Sequence, residues 1–344
     1  MKILVTLPQG YVFDTFFPKE QVERLESLGE VEWNRTDRQY TREELKERLV
    51  GTDICVTGWG CPKIEEDMVA DAEHLKLIAH DAGTVGPYVA LEVFDKGIHV
   101  CTGNRMFAES VAESVIAYAL ASLRKIPQYN SDLHGDVLWR EANFHNSGLL
   151  EKTVGLISFG MIAQELVKLL RPFHCKILVD SDFVTQEQLN EYGMDIHKAT
   201  MKEIFQICDV VSVHATLIPE NYHIVGRDLL RSMKEGALLV NTSRGAILDE
   251  AALAEVLAEG RISAALDVFE TEPLPLDSPL RRLPNALLIP HMGGPTIDRR
   301  RAVTRYVIDD IERFIKGEPM LGEVDKKYAS FMTDPTKMPA GAKS

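Results

Sequence analysis

Three side chains, far apart in a 344-residue sequence, combine types that hold an anion and move a proton: Arg244 in NTSRGAILDEAAL, Glu272 in ALDVFETEPLP and His291 in LLIPHMGG. Each follows its own short apolar run, as does Asp267, five residues before Glu272. Apolar runs of that kind read as strands, and the carboxyl edge of an open parallel sheet is where ligands bind. A cation, a carboxylate and an imidazole arriving there on separate strands can meet in one cleft. Gly293 and Gly294, just past the imidazole, allow a backbone to approach closely. Taken singly, a histidine such as His291 is more often structural than catalytic.

A second constellation lies upstream. The run VGLI enters SFGMIA, residues 158–163, and continues as a helix with Ile162, Leu166, Leu169 and Leu170 on one side. A dinucleotide fold places its G-x-G-x-x-G at such a strand, turn and helix, so that free N–H groups at the helix start face a pyrophosphate. Gly160, Met161 and Ile162 would form that start, with Ser158 in place of the first glycine and Ala163 in place of the third. Ala is small enough for helix and strand to pack; Ser is a departure. An ordinary tight βα turn is the alternative. The next strand, KILV, ends in Asp180, Ser181 and Asp182, where an acidic residue would meet ribose hydroxyls or merely solvate a loop.

These residues need a scaffold, and the sequence supplies one. Apolar runs recur as KILVTL, DICVT, LKLIA, VGLI, KILV, DVVSV, ALLVN and LLIP, continuous rather than alternating, as in parallel strands buried on both faces. Helix-period stretches separate them: Thr41 and Glu44 have capping-box spacing, and Asp249 can cap EAALAEVLAE before Gly260 ends it. The expectation is α/β architecture with mostly parallel sheets, in two domains at this length, joined by a long apolar helix over 107–123. Past Gly317 periodicity gives way to a docked or disordered tail. A net charge of −14, from 38 Lys and Arg against 52 Asp and Glu, disfavours nucleic acid and anionic lipid as partners. The five cysteines are odd in number and lack zinc spacing, no membrane-length apolar run is expected, and MKILVTLPQG is too short for a signal peptide. A cytoplasmic protein without a metal is expected.

The blocks DVVSVHATLIPENYHIV, NTSRGAILDEAAL, ALDVFETEPLP and IPHMGG together resemble the signature blocks of the D-isomer-specific 2-hydroxyacid dehydrogenase family, over about 53–316. The resemblance implies a Rossmann-type NAD-binding domain inserted in a flavodoxin-like substrate domain. The parts are 1–103 (substrate domain), 104–293 (NAD-binding domain), 294–320 (a returning helix of the substrate domain) and 321–344 (tail). It implies that Arg244 binds the substrate carboxylate and 2-oxo group, that His291 is the general acid–base, and that Glu272 holds the imidazole and favours its protonated form. Asp267 would meet the nicotinamide carboxamide, His214, Ala215 and Thr216 would line the adenosine side, and Thr242 and Ser243 would flank the nicotinamide. Gly83, Thr84 and Val85 would grip the substrate carboxylate, with Val85 standing where the family usually has Gly; Trp59 falls near that pocket or is a buried structural residue. Glu270 is expected to be a surface acid. Segment 126–150, with Trp139, would make homodimer contacts.

The implied activity is hydride transfer between NAD(H) and a small 2-oxo acid or D-2-hydroxy acid. Two alternatives remain open: an NAD(H)-binding sensor or corepressor-like protein, which Ser158 favours, and a formate- or phosphite-dehydrogenase-like enzyme. NAD(H) is expected over NADP(H), because Asp180, Ser181 and Asp182 are followed by no basic residue before Gln186, although Ser181 holds the family's usual acid position.

Overall fold

A computed structural model describes residues 1–140, 144–334 and 338. Residues 141–143 of the expected dimer segment, and 335–337 and 339–344 of the expected tail, lie outside them. The chain divides into two compact units, one formed by Met1–Phe107 with the return from Pro295, the other by Ala108–Gly294.

The first unit holds β1 (Lys2–Val5), β2 (Glu30–Trp33), β3 (Ile54–Thr57), β4 (Leu77–His80) and β5 (His99–Thr102), in the order β2-β1-β3-β4-β5 and parallel throughout. The second holds β6 (Thr153–Ile157), β7 (Lys176–Asp180), β8 (Ile196–Lys198), β9 (Val210–Val213), β10 (Leu238–Asn241), β11 (Ser263–Leu266) and β12 (Ala286–Leu288). Its order is β12-β11-β10-β9-β6-β7-β8, again all parallel. These are the flavodoxin-like and the dinucleotide-binding strand orders, the latter extended by a seventh strand. Strand direction of growth reverses between β1 and β3 in one sheet and between β6 and β9 in the other.

The central strands β3, β4, β9 and β10 are buried at every residue, which is why they read as unbroken apolar runs. Edge strands β2 (EVEW) and β8 (IHK) carry charge on their open sides and escape that reading. Apolar layers cover both faces of each sheet. The capping box at Thr41 forms, and Asp249 accepts the Ala252 N–H to start the helix Glu250–Ala258.

Two expectations are sharpened. The connector is a helix over Asn104–Leu123 that is long and apolar enough to cross a membrane by length and composition. It buries Val111, Ala112, Val115, Ala119 and Leu123, the last four of which pack in the same layer as β6 and β7, and it carries Glu109 and Glu113, the features of a core helix. The tail is docked as far as Asp334. The Thr102 N–H donates to Gly322 O, the Val324 N–H donates to Val100 O, and a short helix follows over Lys326–Ser330.

Candidate active site

The switch point of the seven-stranded sheet is built by three turns. After β6, Ser158 takes φ 72°, the left-handed conformation that a glycine adopts without steric cost, and its N–H donates to Asp180 O at 2.8 Å. Gly160 is then the N-cap of the helix Met161–Leu170 without a side-chain cap, and a Cβ at 160 would meet nothing within 4 Å. The free N–H groups at Met161 and Ile162 therefore open onto space, while Ala163 is fully buried where helix and strand close up. Asp180 ends β7; burial and the charge of Asp182 raise its carboxyl, while the Met201 N–H and Lys198 oppose that. Ser181 Oγ is taken up locally by the Phe183 N–H at 3.2 Å.

Across the switch point, the N–H of His214 donates to Ile157 O, and its imidazole is buried with neither ring nitrogen partnered among the described residues. Burial pushes its pKa down to about 4, so it is neutral. The hydroxyl of Thr242, beyond β10, is likewise buried without a described partner. Such orphaned polar atoms, beside an uncapped helix start, suit a polar ligand laid along this edge. Ala215 is buried and Thr216 half-buried, its carbonyl accepting Asn221 Nδ2 at 2.8 Å. These residues fit a dinucleotide.

The catalytic candidates share the same edge of this unit. Asn241 folds the turn that carries Arg244: its Oδ1 accepts the N–H and hydroxyl of Ser243 at 3.0 and 2.8 Å, and its Nδ2 donates to Arg244 O at 3.0 Å. Gly245 follows because no side chain fits, a Cβ there lying 1.9 Å from the Phe269 carbonyl carbon. Asp267, nearly fully buried, organises the His291 turn. Its carbonyl accepts the His291 N–H, its carboxylate oxygens accept Met292 and Gly293 N–H at 2.7 and 2.8 Å, and Tyr118 Oη donates at 3.4 Å. Burial raises the Asp267 carboxyl even against those donors. A Cβ on Gly293 would sit 2.6 Å from Asp267 Oδ2, so glycine is required there. His291 itself takes φ 50°, and its Nδ1 lies 2.6 Å from Glu272 Oε2. The other Glu272 oxygen accepts the Phe269 N–H at 3.0 Å. Burial pushes the Glu272 carboxyl up, but the bonds from His291 and Phe269 and the charges of His291 and Arg244 hold it below the ordinary range. The result is an ionised carboxylate behind a half-exposed imidazole, with the Arg244 guanidinium close enough to stabilise the carboxylate charge.

Three readings are revised. Glu270 is not a surface acid: it is half-buried, accepts the Glu250 N–H at 2.9 Å and donates its own N–H to Glu250 Oε2 at 3.0 Å, clasping two loops. In the first unit Val85 is fully buried and its N–H points to Met332 Sδ, leaving Gly83 and Thr84 as the half-exposed members of that loop. Trp59 is 40% exposed, edge-on to Phe16 and Phe107 and under the Arg300 guanidinium, so it is not a buried core residue. Sequence reasoning missed Asn241, Ser114, whose Oγ donates to Gly293 O at 3.1 Å, and Tyr118. The signal for the last two was a row of hydroxyls at four-residue spacing along that helix, Ser110, Ser114, Tyr118 and Ser122.

Residues 116–293 match the family domain described as D-isomer specific 2-hydroxyacid dehydrogenase, NAD binding domain. The chain is 34% identical to the D-3-phosphoglycerate dehydrogenase of Methanocaldococcus jannaschii over 92% of its own length, but spans only 58% of that relative. It is 31% identical to the glyoxylate reductase of Thermococcus litoralis, with 88% of this chain and 92% of the relative covered. Among solved structures it resembles an acyclic imino acid reductase in complex with NADPH and D-Arg, with a TM-score of 0.78 and 25% identity over 94% of this chain and 100% of the other.

Proposed function

The chain belongs to the D-isomer specific 2-hydroxyacid dehydrogenase family, and we propose that it transfers hydride between NAD(H) and a small 2-oxo acid or the corresponding D-2-hydroxy acid. The observation that carries this reading is the Glu272–His291 contact of 2.6 Å beside the Asn241-ordered Arg244 turn, on the sheet edge that also offers the uncapped Gly160 helix start. In the reductive direction the nicotinamide, when bound, supplies the hydride to C2. Arg244 holds the carboxylate and the 2-oxo oxygen through its planar fork. His291, whose Nδ1 is committed to Glu272, presents Nε2 to the oxygen at C2 and delivers the proton that the developing alkoxide needs. Glu272 orients the ring and balances the charge it carries before transfer. In the other unit, Gly83 and Thr84 are the half-exposed loop residues whose backbone N–H groups the family resemblance assigns to a substrate carboxylate.

NAD(H) is the preferred cofactor in this reading, because Asp180 and Asp182 would repel a 2′-phosphate. Lys198 is the counterweight: strand pairing sets it opposite Val179, and its Nζ is held by Val184 O at 2.9 Å. A homodimer is supported by the helix Ile126–His134, which buries none of its residues, and by the exposed Leu133, Leu138 and Trp139. The cytoplasm is the expected location.

The test is NADH oxidation followed spectrophotometrically with glyoxylate, pyruvate, hydroxypyruvate, phosphohydroxypyruvate and larger branched or aromatic 2-oxo acids. At least one should be reduced, and NADH should be used more efficiently than NADPH. Measurable NADH binding with no turnover of any 2-oxo acid would overturn the dehydrogenase reading in favour of a sensor.

A further inference from the structure

The chain after the helix Ile297–Lys316 returns past the end of β5, and residues 332–334 lie against the loops that follow β3 and β4. Val324, Ala329 and Met332 are buried in the same apolar cluster as Ile64, Val85 and Val89. Met332 Sδ accepts the Val85 N–H at 3.4 Å, in the loop that follows β4. Thr333 O lies where a Cβ on Gly86 would be only 2.3 Å away, so backbone passes over backbone and only glycine permits it. Asp334, 5% exposed, receives Lys63 Nζ at 2.7 Å, and Lys63 belongs to the loop after β3 that carries Trp59. Three consecutive residues thus fasten two loops by three different contacts: thioether to amide, carbonyl over glycine, and carboxylate to ammonium. A buried ion pair of this kind is costly to break one partner at a time, because a charge is left uncompensated.

We propose that Met332, Thr333 and Asp334 act as a strap that fixes the 83–86 loop from behind and thereby positions the Gly83 and Thr84 N–H groups for a substrate carboxylate. The functional half of this inference rests on the reading of the loop given above; the mechanical half rests on the contacts alone. A loop at a sheet edge that is not tied down samples many conformations, and ordering it on each binding event weakens affinity. With the strap in place that ordering is done in advance. The strap therefore acts on KM, whereas proton transfer by His291 is untouched.

The full-length variants Asp334→Ala and Met332→Ala test it, with Lys63→Arg as the charge-preserving control and Gly86→Ala as a steric means of pushing the strap away. Amide hydrogen exchange over 82–88 should accelerate about tenfold or more in Asp334→Ala, Met332→Ala and Gly86→Ala and stay near wild type in Lys63→Arg. With the best 2-oxo acid from the screen, KM should rise about fivefold or more, with kcat and NADH affinity within about twofold. A general loss of folded enzyme would instead lower the apparent kcat at unchanged KM, and that outcome overturns the positioning role. Unchanged exchange over 82–88 in Asp334→Ala and Met332→Ala overturns the strap itself. Should the wild type reduce no 2-oxo acid, the dehydrogenase reading fails while the exchange comparison still decides whether the strap exists.

Discussion

Glu272 divides its two carboxylate oxygens between the Phe269 N–H and the ring of His291, so a change at this residue separates charge from shape. Glu272→Gln keeps the side chain's volume and its acceptor for Phe269 but removes the negative charge behind the imidazole. The reductive kcat should fall by about 10- to 100-fold, less than the roughly 10²- to 10⁴-fold expected for His291→Ala, with NADH affinity unchanged in both. Steady-state rates at saturating NADH check this; full activity in Glu272→Gln would show that the charge is dispensable. Asp81 makes a prediction of a different kind. It is buried after β4, one oxygen accepting the Thr304 hydroxyl at 2.7 Å, and burial pushes its carboxyl up to about 7. Since the folded state holds this proton more tightly than the unfolded chain, the associated stability is complete below about pH 4 and is lost as pH rises to about 7. Asp81→Asn stays neutral, so its denaturation midpoint should fall less than that of wild type between about pH 5 and pH 8. Parallel slopes for the two proteins would rule Asp81 out as the source.

Among the elements, the βα turn after β6 departs most from its type. Ser158 occupies a left-handed conformation that disfavours any side chain, and its N–H is tied to Asp180 O, so the backbone path is kept despite the residue. Ser158→Gly should therefore stabilise the protein by about 1 kcal/mol without weakening NADH binding, measured by denaturant unfolding and by fluorescence titration. A loss of stability would mean that the hydroxyl makes contacts outweighing the backbone cost. The turn also shows why the degraded glycine motif was legible at all. Gly160 and Ala163 are read from residue size, whereas the acceptability of Ser158 depends on a hydrogen bond to a strand 22 residues later. Edge strands β2 and β8 were illegible for the converse reason: one open side lets polar residues interrupt the apolar run that marks a buried strand.

For the whole molecule, the exposed apolar surface along 126–150 calls for a partner. Ile126, Leu133, Leu138 and Trp139 are each more than half exposed, and Leu138 is 92% exposed, on a stretch, 126–140, that buries none of its residues. The double variant Leu138→Asp with Trp139→Asp should move the protein from dimer to monomer in light scattering coupled to gel filtration, and leave the unfolding of each unit otherwise intact. A wild-type protein that is monomeric at micromolar concentration would refute this use of the surface.

The sequence by itself determined the class of fold, because parallel strands buried on two faces must be continuous apolar runs and the helices between them must be amphipathic. It also singled out Arg244, Glu272 and His291 as candidates, since each follows such a run. Only the tertiary structure decided what those side chains touch. The Glu272 contact with His291, the Asn241 clamp on Ser243 and Arg244, and the commitment of Asp267 to Met292 and Gly293 each join residues from different turns. Glu270 and Glu272 are the sharpest case: two glutamates two residues apart in one loop, one clasping Glu250 and the other the imidazole of His291. Lys198 and the 332–334 strap were invisible for the same reason. Their partners lie on strands and loops brought near by sheet order and by the return of the chain, and local periodicity carries no information about either.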